Sequence, residues 1–150
     1  MKLLNACIVV LVLVVAGCAA SAHQRVPFPS QDVAVTRPDL TRIYFVREDT
    51  GLSRRPIRVI DGDMEIGDLT SDTYLCWERE AGRTVGRAFY QAIDPSRGRL
   101  DGIGDLDCGP GRAHYFNVTI AAEDGKPAIR RLDPEEGRRL VAERKPASHE

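Results

Sequence analysis

Hydrophobic and polar positions divide this chain of 150 residues into two parts. The first 40 residues hold one unbroken apolar run and then a polar stretch that contains prolines. From Thr41 onward, short β-branched and aromatic runs alternate with turn residues, a spacing typical of an antiparallel sandwich or small barrel. The predicted strands begin at or near Arg42, Ile57, Met64, Asp72, Thr84, His114 and Ala128. The pattern therefore predicts an all-β fold, an antiparallel β-sandwich of about seven strands.

Alternation along these strands also predicts which side chains face the core. The predicted core consists of Ile43, Phe45, Val59, Ile66, Tyr74, Cys76, Phe89, Phe116, Val118 and Ile120. Trp77 and Tyr90 lie on the opposite side of their strands, where exposed aromatic rings could form a platform for a ligand or for peptidoglycan. Filling the second half of the sandwich is the favoured interpretation of both rings. Residues 94–111 contain two prolines and five glycines and are predicted to be a long loop.

The pattern changes to that of a helix after residue 132. Asp133 is a suitable N-cap, Pro134 suits the first helical position, and acidic residues follow in the first turn. Gly137 weakens this helix, and few large apolar residues support it, which predicts that it docks loosely. Residues 133–150 are therefore predicted to be a short C-terminal helix and tail, following a β domain at 41–132.

The N-terminal apolar run follows Lys2 and is too short for a transmembrane helix, which needs about 20 apolar residues. A positive start, a short apolar region and small residues at its end are typical of a secretion signal. The run ends in Val15-Ala16-Gly17-Cys18, which resembles the bacterial lipobox. This resemblance implies that residues 1–17 are a cleaved lipoprotein signal peptide and that Cys18 carries the lipid. Residues 18–40 are then the lipidated cysteine and a flexible tether.

The lipid at Cys18 predicts a membrane anchor, because two or three acyl chains hold a protein stably in a bilayer. Ala19 follows this cysteine, where enteric bacteria use an aspartate to retain a lipoprotein in the inner membrane. The expected location is the cell envelope, at the outer membrane and facing the periplasm. Removal of Lys2 with the signal leaves 20 basic residues against 22 acidic ones. This balance, without a large basic block, argues against a nucleic-acid partner.

The four cysteines divide according to this processing. Cys7 leaves with the signal and Cys18 takes the lipid, so Cys76 and Cys108 remain in the mature domain. An even number of cysteines in an oxidising compartment predicts a disulfide between Cys76 and Cys108. Two free thiols or a metal-binding pair are the alternatives, but no second cluster of His and Cys supports a metal site.

Two groups of residues have side chains that could carry chemistry. Asp101, Asp105 and Asp107 lie among glycines and could present oxygens to Ca²⁺, but their spacing is not that of an EF-hand, so a solvated loop is favoured. His114 and Cys108 could form a nucleophile pair, which a disulfide at Cys108 would prevent.

Known catalytic motifs do not occur in the sequence: it has no Ser-centred elbow, P-loop or HExxH zinc motif. Asn117-Val118-Thr119 matches a glycosylation sequon by chance. The sequence therefore predicts no enzyme activity, no cofactor and no metal.

Four short motifs occur in an order that resembles an uncharacterised family of small bacterial envelope lipoproteins, related to PEGA-type β domains. The motifs are Arg42-Ile43-Tyr44-Phe45, the Asp61-Gly62 hairpin followed by Ile66-Gly67, Thr73-Tyr74, and Tyr115-Phe116. The resemblance covers roughly residues 41–135. It implies a β-sandwich in the cell envelope and no assigned activity. The chain departs from these relatives at Glu80-Ala81-Gly82, where they have a Pro-Gly turn, and in its cysteine pair.

These observations predict a membrane-anchored envelope lipoprotein that acts as a non-enzymatic accessory or binding module. An envelope protein or peptidoglycan is the candidate partner. The alternative is a periplasmic inhibitor of an attacking hydrolase such as lysozyme. Such an inhibitor needs a protruding loop, and residues 94–111 are the candidate for it.

Overall fold

The computed structural model describes residues 31–48, 54–92, 96 and 98–147. Within these residues the chain forms nine strands and one short helix, so the all-β fold with a C-terminal helix is confirmed. The elements are β1 (Leu40–Arg47), β2 (Ile57–Asp61), β3 (Met64–Leu69), β4 (Thr73–Glu80), β5 (Gly82–Gln91), β6 (Arg99–Cys108), β7 (Ala113–Ile120), β8 (Pro127–Arg131), α1 (Pro134–Ala142) and β9 (Lys145–Pro146).

The strands form two sheets packed face to face. One has five strands in the order β8-β7-β1-β4-β9, and the other has four in the order β3-β2-β5-β6. Neighbours in the four-stranded sheet are all antiparallel, whereas β1 pairs in parallel with β7, and β4 with β9. Between the sheets lies the main hydrophobic core, which includes Ile43, Phe45, Val59, Trp77, Leu106 and Phe116. The predicted sandwich is therefore confirmed, with two parallel pairs in the larger sheet.

The helix α1 covers the outward side of the five-stranded sheet. Its side chains Leu140 and Val141 join a second hydrophobic cluster with Tyr44, Cys76 and Tyr115. As predicted, Asp133 caps the helix by accepting a hydrogen bond from the Glu135 N–H at 2.9 Å. The prediction of loose docking was wrong.

Gly137 explains the close docking of this helix. A Cβ atom added at Gly137 would lie 2.3 Å from the Cβ of Tyr115. The helix backbone therefore rests on the sheet at a distance that no larger residue permits without a shift.

Residues 99–108 are a regular strand, so the prediction of a long loop over 94–111 was wrong for this part. Gly102 and Gly104 face inward, where β8 crosses β6. A Cβ added at Gly102 would lie 1.9 Å from the carbonyl oxygen of Pro127, and one at Gly104 would lie 2.8 Å from the Cβ of Ile129. These glycines are thus required by the close approach of another strand and do not mark a turn.

Part of the predicted tether is held against the domain. Arg42 and Glu78 form a buried ion pair at 2.7 Å on the outward side of the five-stranded sheet. The Arg42 guanidinium also donates to the carbonyl oxygens of Val33 at 2.6 Å and Ala34 at 2.9 Å. The Thr36 N–H donates to Glu78 at 3.2 Å. These bonds attach the chain before β1 to the same side of the sandwich as α1.

Candidate functional site

The outward side of the four-stranded sheet, called the open face below, is uncovered in the described part of the chain. The helix α1 contacts β1 and β7 of the other sheet instead. Two apolar side chains of the open face, Val85 and Ile103, are 52% and 70% exposed. Large apolar side chains at this exposure on one sheet face are a feature of interaction surfaces.

Strand register places Arg87 at the centre of this face. Its cross-strand neighbours are Ile60 on β2 and Ile103 on β6. Along β5, Val85 and Phe89 lie two residues before and after it, on the same side. Four apolar residues therefore flank Arg87 in the sheet, and its guanidinium donates to the Gly62 carbonyl oxygen at the β2–β3 turn at 3.1 Å.

Ion pairs surround this centre. Arg58 pairs with Asp68 at 2.8 Å, Arg83 with Asp105 at 2.6 Å, and Arg99 with Asp101 at 2.9 Å. Arg58 holds the pKa of Asp68 below its usual range, chiefly through its hydrogen bond. The Arg99 guanidinium also lies 4.5 Å from the centre of the Phe89 ring. Among the four arginines named on this face, Arg87 has no carboxylate within ion-pair distance in the described residues.

A cleft of about 660 Å³ adjoins the open face at Gly62. It lies between the turn of the β2–β3 hairpin and the corner where β4 leads into β5. At its floor, buried Asp61 accepts hydrogen bonds from Trp77 Nε1 at 2.9 Å, from Arg79 Nε at 2.7 Å and from the Thr84 hydroxyl. Arg79 also donates to the Leu106 carbonyl oxygen at 2.9 Å.

The hydrogen-bonding groups at the floor of the cleft bind one another, so their role is structural. The network ties the two sheets together at this end of the sandwich, since its members come from β2, β4, β5 and β6.

The predicted disulfide is not formed: Cys76 and Cys108 are two buried free thiols. Cys76 packs under α1 on the outward side of the five-stranded sheet, whereas Cys108 lies in the core between the sheets. Burial raises the pKa of both thiols, that of Cys108 to about 11. The prediction placed Cys76 in the inner core, and the actual strand phase puts it on the other side.

His114 is not a base for Cys108. Its Nδ1 lies 2.9 Å from Nη1 of Arg131, and its Nε2 lies 3.1 Å from the Gly109 carbonyl oxygen. Because an arginine can only donate, Nδ1 accepts and Nε2 carries the proton. Burial, followed by the nearby Arg131 and other arginines, lowers the pKa of His114. The histidine is thus neutral and fully occupied in joining β7 to neighbouring segments.

Asp101, Asp105 and Asp107 project along one side of strand β6, and the first two are already paired with arginines. Within the described part of the chain, no three His, Cys, Asp or Glu side chains are close enough to hold a metal ion. Asn117 is buried and donates to Glu48 at 2.6 Å, so its sequon is inaccessible in the folded domain.

The side of its strand on which each residue lies was predicted correctly for only part of the core. Trp77 and Tyr90 are buried, which confirms their assignment to the core. Phe89 instead lies half-buried on the open face, and Tyr74 packs partly buried against the outer cluster with Cys76. Sequence reasoning missed the open face because it placed Phe89 in the core.

Cys18, the lipobox and residues 1–17 lie outside the described residues. Among the residues that the structure does describe, no helix has the length and apolar character needed to cross a bilayer.

Comparison with protein-family models and with curated proteins gives no match. Among solved structures, an NMR structure of a protein from Eubacterium rectale is similar at 14% identity and a TM-score of 0.42. The alignment covers 69% of this chain and 98% of that one. A similarity at this level carries no argument about function.

Proposed function

We propose that this chain is a lipid-anchored protein of the bacterial cell envelope, and that its β-sandwich is a non-enzymatic binding module for another envelope protein. The observation that carries the binding role is the open face, where Arg87 is surrounded by Ile60, Val85, Phe89 and Ile103. An apolar centre that contains an arginine and has a polar rim is the usual anatomy of a protein interface.

The groups that could carry catalysis support the non-enzymatic half of this proposal. Cys76 and Cys108 are buried with raised pKa values, and His114 is bound at both ring nitrogens. Neither thiol is thus an exposed nucleophile, and His114 is not a free base. Trp77 and Tyr90, the rings that could have formed a peptidoglycan platform, are buried, which favours a protein as the partner.

The inhibitor alternative loses its structural argument. It required a protruding loop within residues 94–111, and residues 99–108 are a strand of the four-stranded sheet. The open face supports the binding module instead.

The membrane anchor is tested by fractionating cells that produce the full-length chain or its Cys18→Ser variant. We expect the wild-type protein in the membrane fraction and the variant in the soluble fraction. Equal membrane retention of the two proteins would contradict the anchor.

The binding role is tested in cells with a photo-crosslinking amino acid at position 103 on the open face or at position 130 on β8. Arg130 is an exposed residue of the other sheet and serves as the matched control. We expect one discrete adduct from position 103, lost when Arg87→Glu is added, and no such adduct from position 130. An adduct that is insensitive to Arg87→Glu, or no adduct from position 103, would refute binding through this face.

A further inference from the structure

We infer that the open face receives an amphipathic helix of the partner protein, with a carboxylate of that helix paired to Arg87. This inference rests on the proposed binding function and adds the chemistry of the partner.

The face favours a helix because the backbone of the four-stranded sheet is already hydrogen-bonded between its strands. Its outward side therefore offers side chains and few backbone partners. An extended segment laid on Ile60, Val85 and Ile103 would leave its own N–H and C=O groups without partners over apolar surface, which is costly. A helix satisfies these groups internally and presents only side chains.

The dimensions of the apolar ring also fit a helix. Ile60 and Ile103 are two strands apart, or about 10 Å, which is close to the diameter of a helix. Val85 and Phe89 are separated by about 14 Å along β5, and helical residues i and i+8, which share one face of a helix, are separated by about 12 Å, within side-chain reach of that span. A helix along β5 would therefore place apolar residues at i and at i+7 or i+8 against these two side chains, with residue i+4 above Arg87.

Charge determines what residue i+4 must be. Arg58, Arg83 and Arg99 of this face already have carboxylate partners. A docked apolar helix would remove Arg87 from water, and a buried cation without a counter-ion is strongly unfavourable. An aspartate or glutamate at i+4 supplies the counter-ion, so the partner helix is apolar with one central acid.

The charge of the face argues against a second copy of this chain as the occupant. A symmetric dimer through this face would set the apolar centre and Arg87 of one copy against the same groups of the other, so two cations would be buried without a carboxylate between them.

The attachment of the N-terminal segment argues against the membrane as the occupant. Residues 33–36 are bound on the α1 side of the sandwich, opposite the open face. A chain anchored through Cys18 therefore joins the domain on the side that faces away from the open face.

The inference is tested with a phage library of helix-forming peptides of about 18 residues, selected on the full-length chain in mild detergent. Wild-type protein should enrich peptides with apolar residues at i and i+7 or i+8 and an acid at i+4. Arg87→Glu should enrich lysine or arginine at that position instead. In fluorescence anisotropy, Arg87→Ala should weaken a selected acidic peptide by about tenfold or more, and Arg130→Glu should leave its affinity unchanged.

Three results would overturn the helix while leaving the binding function to the crosslinking experiment. The first is enrichment that does not depend on residue 87, and the second is the absence of any enriched peptide. The third is enrichment of sequences with alternating apolar and polar residues that lose affinity on backbone N-methylation, which would indicate strand addition at the edge of β6.

Two further outcomes concern the occupant and the function. Concentration-dependent dimers that Ile103→Glu abolishes would identify a second copy as the occupant, against the inference. Loss of both the adduct and the peptides would refute the proposed function as well.

Discussion

The two outward faces of this sandwich differ in what covers them. In β1 of the five-stranded sheet, all residues after Leu40 are buried, since the core lies on one side and α1 on the other. In β5 of the four-stranded sheet, exposed and buried residues alternate in the central part of the strand. Continuous burial therefore indicates a strand covered on both sides, and alternation indicates one open side. An open side that keeps Val85 and Ile103 indicates a surface for a partner.

The largest effect should come from the buried ion pair on the covered face. Glu78→Ala leaves Arg42 buried without its carboxylate, and we expect a loss of about 3–5 kcal/mol in the free energy of unfolding. The matched control is Asp68→Ala, which breaks the exposed pair with Arg58 on the other sheet and should cost less than about 1 kcal/mol. Urea denaturation measures both variants. Similar losses in the free energy of unfolding for the two variants would show that the buried ion pair matters no more to stability than the exposed one.

Gly137→Ala should reverse the usual sign of this substitution. Alanine in place of glycine inside a helix ordinarily stabilises it by about 1 kcal/mol. Here the new Cβ would meet Tyr115 at 2.3 Å, and we expect a loss of about 1–3 kcal/mol. Arg139→Ala, at an exposed position two residues on, is the control and should cost less than about 0.5 kcal/mol, because it removes only a surface ion pair with Glu143. A stabilised Gly137→Ala variant would mean that α1 docks less tightly than described.

Acid should weaken the covered sheet through His114. The pKa of His114 is lowered in the folded state, so the unfolded chain takes up the proton first as the pH falls. The contribution of neutral His114 to the stability of the fold is therefore fully present above about pH 6.5 and declines as the pH falls toward the pKa of the folded state. Urea midpoints between pH 7.5 and 5 should decline in the wild-type protein, and the decline should be shallower in His114→Gln. Peptide affinity at the open face should be unchanged by His114→Gln at pH 7.5. Parallel pH profiles for the two proteins would exclude His114 as the cause.

The smallest effect on stability should come from the open face itself. Ile103→Ser should change the free energy of unfolding by no more than about 0.5 kcal/mol, because the side chain is 70% exposed. On the inward side of the same strand, Leu106→Ala should cost about 2–5 kcal/mol. Comparable losses at the two positions would mean that Ile103 supports the fold rather than a partner.

The sequence was sufficient to predict the elements whose signals are local. The Asp61-Gly62 turn, the capped helix at Asp133 and the aromatic strands of the core follow from neighbouring residues. β6 could not be predicted in this way. Its inward positions include Gly102 and Gly104, which are small because β8 crosses there, and β8 lies far along the chain.

The wrong prediction of a disulfide has a similar cause. An even number of cysteines carries no information about which side of a sheet each one faces. Cys76 could be placed only by knowing that α1 covers the outward side of its strand, because both sides of β4 are apolar. The open face was missed for the complementary reason, since nothing in the sequence marks Phe89 as outward and Tyr90 as inward.

The pairing of β1 has a consequence for the order in which the domain folds. The first strand of the domain lies between β4 and β7, so it needs a partner that is synthesised much later. The β2–β3 and β5–β6 hairpins pair near neighbours, and such local contacts form faster than distant ones because they close shorter loops. We expect the four-stranded sheet to assemble first, and β1 to pair with β7 only afterwards. The surface with Arg87 would then exist as a sheet before the final helix has closed the other side.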